Sequence, residues 1–234
     1  MGKNLSELLH DTLLDAGASL VGYADIRSLP SEASHGLPRG IAIACAIRPE
    51  FVLEIADGPT KSYEAEYGRL NSLLDHLARL AESIIEKHGY HAVAMAATQS
   101  VLDEDTLATP LPQKTTARLA GLGWIGKCAL LVTEEYGSAV RLNTVLTDAP
   151  LTTGSPVDES RCGKCVACVE ICPAGAPLEP DWNPGMGRSE FFDAFACYEE
   201  AKKVSSRRGI RETICGRCIA CCPWTKKYIN LLTH

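Results

Sequence analysis

Nine of the eleven cysteines fall between Cys162 and Cys222, and the chemistry of the chain is concentrated in their spacing. The run Cys162-x-x-Cys165-x-x-Cys168-x-x-x-Cys172-Pro173 puts three thiolates on a tight loop and points a fourth, followed by proline, away from them. Bacterial ferredoxins hold 4Fe-4S clusters with this spacing, the fourth cysteine serving a neighbouring cube. A neighbouring cube needs its own ligands, and Cys215-x-x-Cys218-x-x-x-Cys222-Pro223 provides a set one cysteine short; Cys197, on an intervening helical patch, makes up the number. The spacing predicts two 4Fe-4S clusters, with Cys162, Cys165, Cys168 and Cys222 on one and Cys172, Cys197, Cys215 and Cys218 on the other. Cys221 competes with Cys222, and the Cys-Pro pairing favours Cys222. Zinc sites prefer two separated cysteine pairs to a continuous run of four. A radical-SAM site needs Cys-x-x-x-Cys-x-x-Cys, whereas position 175 is Gly and position 225 is Thr. Cys45, inside an apolar strand, reads as an inert core residue.

The rest of the chain must position these thiols. Its 234 residues, 46% hydrophobic and 22% charged, suffice for one large or two small domains and are too apolar for a disordered chain. No apolar run approaches the roughly 18 residues of a spanning helix, and Met1-Gly-Lys-Asn opens no signal peptide. A cytoplasmic protein without membrane contact is expected, in which clustered cysteines hold metal rather than disulfides. Leu5, Leu8, Leu9, Leu13 and Ala16 fall at helical spacing behind Asn4 and Glu7, which form a capping box. Strands are predicted at 19–24, 41–47, 92–97, 129–133 and 140–147, a long helix at 61–88 and a short one at 115–120. Tyr63, Tyr67, Leu70, Leu74, Leu77, Ala81, Ile84 and His88 form the long helix's stripe. A Thr/Gly/Ser/Pro linker at 151–159 separates an α/β sandwich, residues 1–155, from a cysteine domain, residues 156–234, with a helical patch at 189–201. The fold class is α+β.

Residues 1–155 carry 12 basic and 19 acidic side chains, against 11 and 10 in residues 156–234. A nucleic-acid-binding face would need the opposite balance on the larger segment.

Ala120-Gly-Leu-Gly-Trp-Ile-Gly-Lys127 has dinucleotide-loop spacing, but helix precedes it and strand follows, the reverse of that motif. This turn, with Gly137-Ser138, Leu146-Thr-Asp148 and a double cysteine run ending in Cys222-Pro-Trp224, resembles epoxyqueuosine reductase and, more distantly, the reductive dehalogenases. The resemblance covers roughly residues 5–228. It implies a nitroreductase-like α/β sandwich holding base-off cobalamin, and a ferredoxin-like double-cluster domain whose nearer cluster reduces the cobalt. It places Leu131 and Leu142 facing the corrin, with Gly123, Trp124, Gly126 and Lys127 close by. The family's catalytic acid lies in an Asp-Ser-x-Pro segment, whose Asp position, counted back from Ala120, is Leu107 here; Asp103 and Asp105 are out of register. The chain ends at His234 without the C-terminal extension that helps the family hold tRNA, and Cys128 stands where Asn or His often follows the lysine. A truncated paralogue with another, small-molecule substrate is expected.

Tyr67, on the apolar stripe, reads first as core and second as a proton donor over a corrin. Gln113 and Lys114 read as surface or as contacts to corrin amides. Lys202, Lys203, Arg207, Arg208 and Arg211 form a solvated face that could dock an acidic donor such as ferredoxin or flavodoxin. Three functions are open: a cobalamin-dependent iron–sulfur oxidoreductase; an electron-transfer or activator protein serving a partner's corrinoid protein; and, ranked last for want of a motif, a flavoprotein.

Overall fold

The computed structural model describes residues 4–98, 103 and 105–232; Met1 to Lys3 and His234, on which the readings of the chain's two ends rest, lie outside them. In chain order the elements are α1 (Leu5–Asp15), β1 (Leu20–Asp25), α2 (Ser31–Ser34), β2 (Arg39–Ala46), α3 (Pro49–Glu54), α4 (Lys61–Lys87), β3 (Ala92–Ala94) and α5 (Gln113–Leu119). There follow β4 (Trp124–Ile125), β5 (Leu131–Val132), β6 (Val140–Thr147), α6 (Ala167–Ile171), α7 (Ala194–Arg207), α8 (Arg217–Cys221) and α9 (Pro223–Leu232). They form two compact units, the first from Met1–Ala46, Leu70–Leu122 and Arg141–Val157, the second from Ile47–Arg69, Gly123–Val140 and Asp158–His234. No single cut, at residue 155 or elsewhere, yields these units: the second takes the segment carrying most of the glycine turn along with the cysteine run.

The first unit is built on a four-stranded sheet in the order β1-β2-β6-β3. Strands β1 and β2 are antiparallel, with Gly22 opposite Ala42 and Ala24 opposite Gly40. Side chains alternate across a strand, so Gly22, Ala24, Gly40, Ala42 and Ala44 share one face and Val21, Tyr23, Ile41, Ile43 and Cys45 the other. Helix α5 lies on the small face: a Cβ on Gly40 would come within 2.7 Å of Thr116 Cγ2. On the large face the Tyr23 hydroxyl donates to the Ser6 carbonyl of α1 at 2.7 Å. Asn4 and Glu7 form the expected capping box.

Helix α4 buries Leu70, Leu74, Leu77 and Ala81, but Ile85 rather than Ile84 ends its stripe; Tyr67 is half-buried and His88 exposed. Alternating steps of three and four follow a 3.5-residue period, which drifts ~20° per heptad on a real helix. Strand β3 stops at Ala94, because side chains capture the following backbone: Ala97 N–H donates to Asp75 at 2.8 Å and Gln113 Nε2 to the Ala96 carbonyl at 3.0 Å. The segment 151–159 lacks regular structure, yet Gly154 N–H donates to Tyr23 O at 2.8 Å and Val157 N–H to Arg118 O at 3.1 Å, so it is tied down. The predicted strand at 129–133 contracts to β5, paired with the unforeseen β4. The helical patch moves to α7, whose Asp193 caps it by accepting from Ala196 N–H at 2.9 Å. Among the described residues no helix is long and apolar enough to cross a membrane.

Candidate metal centre

Within the second unit, α6 and α8 pack together and are built alike. Each carries the last cysteine of a Cys-x-x-Cys step, Cys168 on α6 and Cys218 on α8, and stops at a Cys-Pro pair. Proline disfavours helical backbone at the residue before it, and Cys172 (ψ 114°) and Cys222 (ψ 126°) are accordingly extended. Each Cys-Pro cysteine therefore leaves its own helix and serves the other's cavity. Cys162, Cys165 and Cys168 line one cavity of about 510 Å³ together with Cys222. Cys172, Cys197, Cys215 and Cys218 line a second of about 400 Å³. Cys218 faces both cavities, and Cys221 lines neither. The Cys221 Sγ instead lies 3.6 Å from the Cys218 carbonyl, and burial pushes its thiol up to about 12. Among the described residues no three His, Cys, Asp or Glu side chains converge on a point that could hold a single metal ion.

The glycine turn supports the first cavity. Strands β4 and β5 form a two-stranded hairpin whose loop carries Lys127 and Cys128. The hairpin is so tight that a Cβ on Gly123 would lie 2.1 Å from Val132 O; one on Gly126 would lie 2.8 Å from Val132 Cγ2 and 3.5 Å from Cys162 Sγ. Close approach of Val132, by its backbone at Gly123 and its side chain at Gly126, accounts for both glycines without a bound phosphate. Lys127 is 5% exposed; its Nζ donates to Gly163 O at 2.7 Å and lies 3.8 Å from Asp181, clamping the Cys162–Cys165 loop. This buried cation can offset the charge of an anionic cluster. Trp224, on the cavity wall, meets Trp124 edge-on at 5.0 Å. Thr225 Oγ1 accepts from Ser138 N–H at 3.0 Å, which gives Gly137-Ser138 a structural role.

Of the residues linked by resemblance to a corrin, Gly123, Trp124, Gly126, Lys127 and Leu131 are buried in the second unit, and Leu142 is half-buried on β6. Tyr67 is half-buried on the part of α4 that belongs to the second unit. Leu107 adopts left-handed backbone (φ 49°) in a turn where the Asp103 carboxylate accepts from Asp105 and Thr106 N–H groups. The Gln113 Oε1 is buried without a partner. The basic run is only partly a free surface, because Arg208 donates to the Asp57 and Pro59 carbonyls at 2.6 and 3.2 Å.

Two features went unread in the sequence. Cys128, whose role its position left open, lines the first cavity. Glu66 is 2% exposed and bridges Arg48 and Arg69 at 3.1 and 2.6 Å. Burial pushes its carboxyl up, but hydrogen bonds from the two guanidinium groups outweigh this and hold it below the ordinary value. The Glu66–Arg69 spacing on a helix was the available signal.

Fold and site together define a two-unit α+β protein with paired cysteine-lined cavities. No family model matches the chain. Its curated relatives are epoxyqueuosine reductases: that of Escherichia coli K12 is 35% identical over 127 residues, 54% of this chain and 33% of the relative. The Vibrio cholerae enzyme is 28% identical over 237 residues, 91% and 58% respectively. The chain thus spans between a third and under six-tenths of these relatives. Among solved structures, a variant of the catabolic reductive dehalogenase NpRdhA superposes with a TM-score of 0.72 at 18% identity, over 99% of this chain and 35% of that one. Epoxyqueuosine reductase from Bacillus subtilis gives 0.63 at 19%, over 95% and 66%. The chain is therefore similar in sequence to epoxyqueuosine reductases and shares the fold of both groups.

Proposed function

We propose that this chain is an iron–sulfur oxidoreductase that carries electrons through two 4Fe-4S clusters to a corrinoid. The observation that carries the reading is the pair of cavities, each lined by at least four cysteines and each taking cysteines from both runs. The donor set fits, since thiolates are the usual ligands of such clusters and no single-ion site competes among the described residues. When bound, the clusters supply one-electron transfer at low potential, down to about −700 mV. The chain's own residues keep them dry and charge-balanced: Trp224 and Val132 wall the first cavity, and Lys127 holds its ligand loop. The electrons would come from a low-potential ferredoxin or flavodoxin in the cytoplasm.

The corrinoid is supported by the relatives, one of whose structures is titled for B12-dependent dehalogenation. The side chains fit it less well. Trp124 and Leu131 are 1% and 2% exposed and Lys127 is committed to its loop, so none offers a face to a ring. That burial, with Leu107 at the family's acid position, favours a second reading, an activator that reduces a partner's corrinoid protein. An epoxyqueuosine reductase relative has been solved with a tRNA stem loop; the acidity of residues 1–155 points this chain to a small molecule or a corrinoid protein instead.

Purification and reconstitution without oxygen should give about eight irons and eight sulfides per chain; a zinc-only product under those conditions overturns the cluster reading. Titration with cobalamin separates the two acceptors: loss of the lower base, seen as an absorption change, selects the bound corrinoid, and its absence selects the activator.

A further inference from the structure

Cys128 belongs to neither cysteine run, yet its thiol lies among their ligands. It lines the first cavity and is 6% exposed. The Cβ position of Gly126 lies 3.6 Å from Cys128 Sγ and 3.5 Å from Cys162 Sγ, so the two sulfurs flank the same glycine. Cys168, assigned to the first set, and Cys218, assigned to the second, line the same cavity as Cys128. Cys45 is the contrast: it is buried on β2, 3.7 Å from a backbone carbonyl, in a plain apolar core.

The backbone holds Cys128 where it is. Gly126 N–H donates to Leu130 O at 2.9 Å and Ala129 N–H to Gly126 O at 2.8 Å, closing the loop on both sides. Ala129 is held in left-handed backbone at φ 57°, a conformation unfavourable for an L-residue. The hairpin tolerates that strain while aiming residues 127 and 128 at the cavity.

A cube takes four protein ligands, and on the proposed sets the first cavity already has Cys162, Cys165, Cys168 and Cys222, with Cys218 assigned to the second. We infer that Cys128 is a ninth cysteine that binds no iron, and that it donates its S–H to a ligand sulfur where the two clusters adjoin, raising the potential of the cluster it touches. The inference rests on the two-cluster reading above. A donor aimed at a cluster sulfur stabilises the reduced, more negative state, and hydrogen bonds to the sulfurs are among the levers that set these potentials. Cys128 is thus a positioning and tuning residue.

The test uses the anaerobically reconstituted full chain as wild type, Cys128→Ala, Cys128→Val and Cys128→Ser, with iron analysis and redox titration followed by electron paramagnetic resonance. All four should hold about eight irons. Ala and Val, which lack a donor, should each move one midpoint to lower potential and leave the other in place, while Ser, which keeps one, should stay near wild type. Val fills the space Ala leaves, so a packing defect cannot mimic the result. Unchanged midpoints in Ala and Val overturn the inference, as does the loss of about four irons on removing Cys128, which would make it a ligand. Wild type without cubes overturns the cluster reading and this one together, and iron analysis alone identifies that outcome.

Discussion

The two cysteine cavities use the same local device and differ in what surrounds it. Three cysteines of the first come from one short segment, Cys162–Cys168, and a buried ammonium, the Cys128 thiol and an indole join them in its lining. The second gathers Cys172, Cys197, Cys215 and Cys218 from scattered positions, with prolines, Phe192 and Ala176 for walls. Around it, Ile171, Phe195 and Tyr198 are 43%, 50% and 36% exposed, each within two residues of Cys172 or Cys197. On the two-cluster reading, the first cavity is the protected, charge-compensated one and the second the accessible one.

The comparison is broken most directly at the exchanged cysteines. Cys222→Ser should lose about four of eight irons, all from the first cavity, while Cys221→Ser keeps the full complement; iron and sulfide analysis of anaerobic protein decides, and the reverse pattern would exchange the two residues' roles. Next in size, Lys127→Met removes a buried hydrogen bond and the nearest cation. It should cost roughly 1–3 kcal/mol in denaturant melts and lower the first cluster's midpoint, with the second cluster's signal unmoved. A comparable loss should come from Gly40→Val in the first unit, where overpacking against Thr116 costs about 1–3 kcal/mol. There the iron per chain should not change, and a loss of iron would show that the sheet and the cysteine cavities are not separable. The smallest effect concerns pH. Because Glu66 is held below its ordinary range in the folded chain, its contribution is complete above the unfolded carboxyl pKa of about 4.3 and lost as pH falls through the folded value. Glu66→Gln should therefore weaken the fold by about 1 kcal/mol at neutral pH and flatten the acid side of a stability–pH curve.

What the sequence revealed follows from how local each determinant is. The capping box of α1 and the buried stripe of α4 depend on residues a few positions apart, and both were legible. The ends of α6 and α8 were legible too, because proline disfavours helical backbone at the residue before it, and Cys172 and Cys222 are extended. The hairpin was not: Gly123 and Gly126 look like a nucleotide loop until Val132, several residues on, is seen to occupy the space their side chains would need. Cys128 was unreadable for the same reason, since Cys168 and Cys218, which line its cavity, are distant in sequence. Nor does composition reveal that residues 123–140 join the cysteine unit, since the turn carries no cysteine character apart from Cys128 itself.

The exchange of Cys172 and Cys222 between cavities bears on biosynthesis. On the proposed ligand sets, a nascent chain emerging from the ribosome holds three of the first cube's sulfurs well before the fourth, Cys222, is made. The second cube likewise waits for Cys215 and Cys218. Neither cube can be fully ligated until the Cys215–Cys222 run has been made, so the assembly machinery must deliver both to a chain that already carries both cysteine runs.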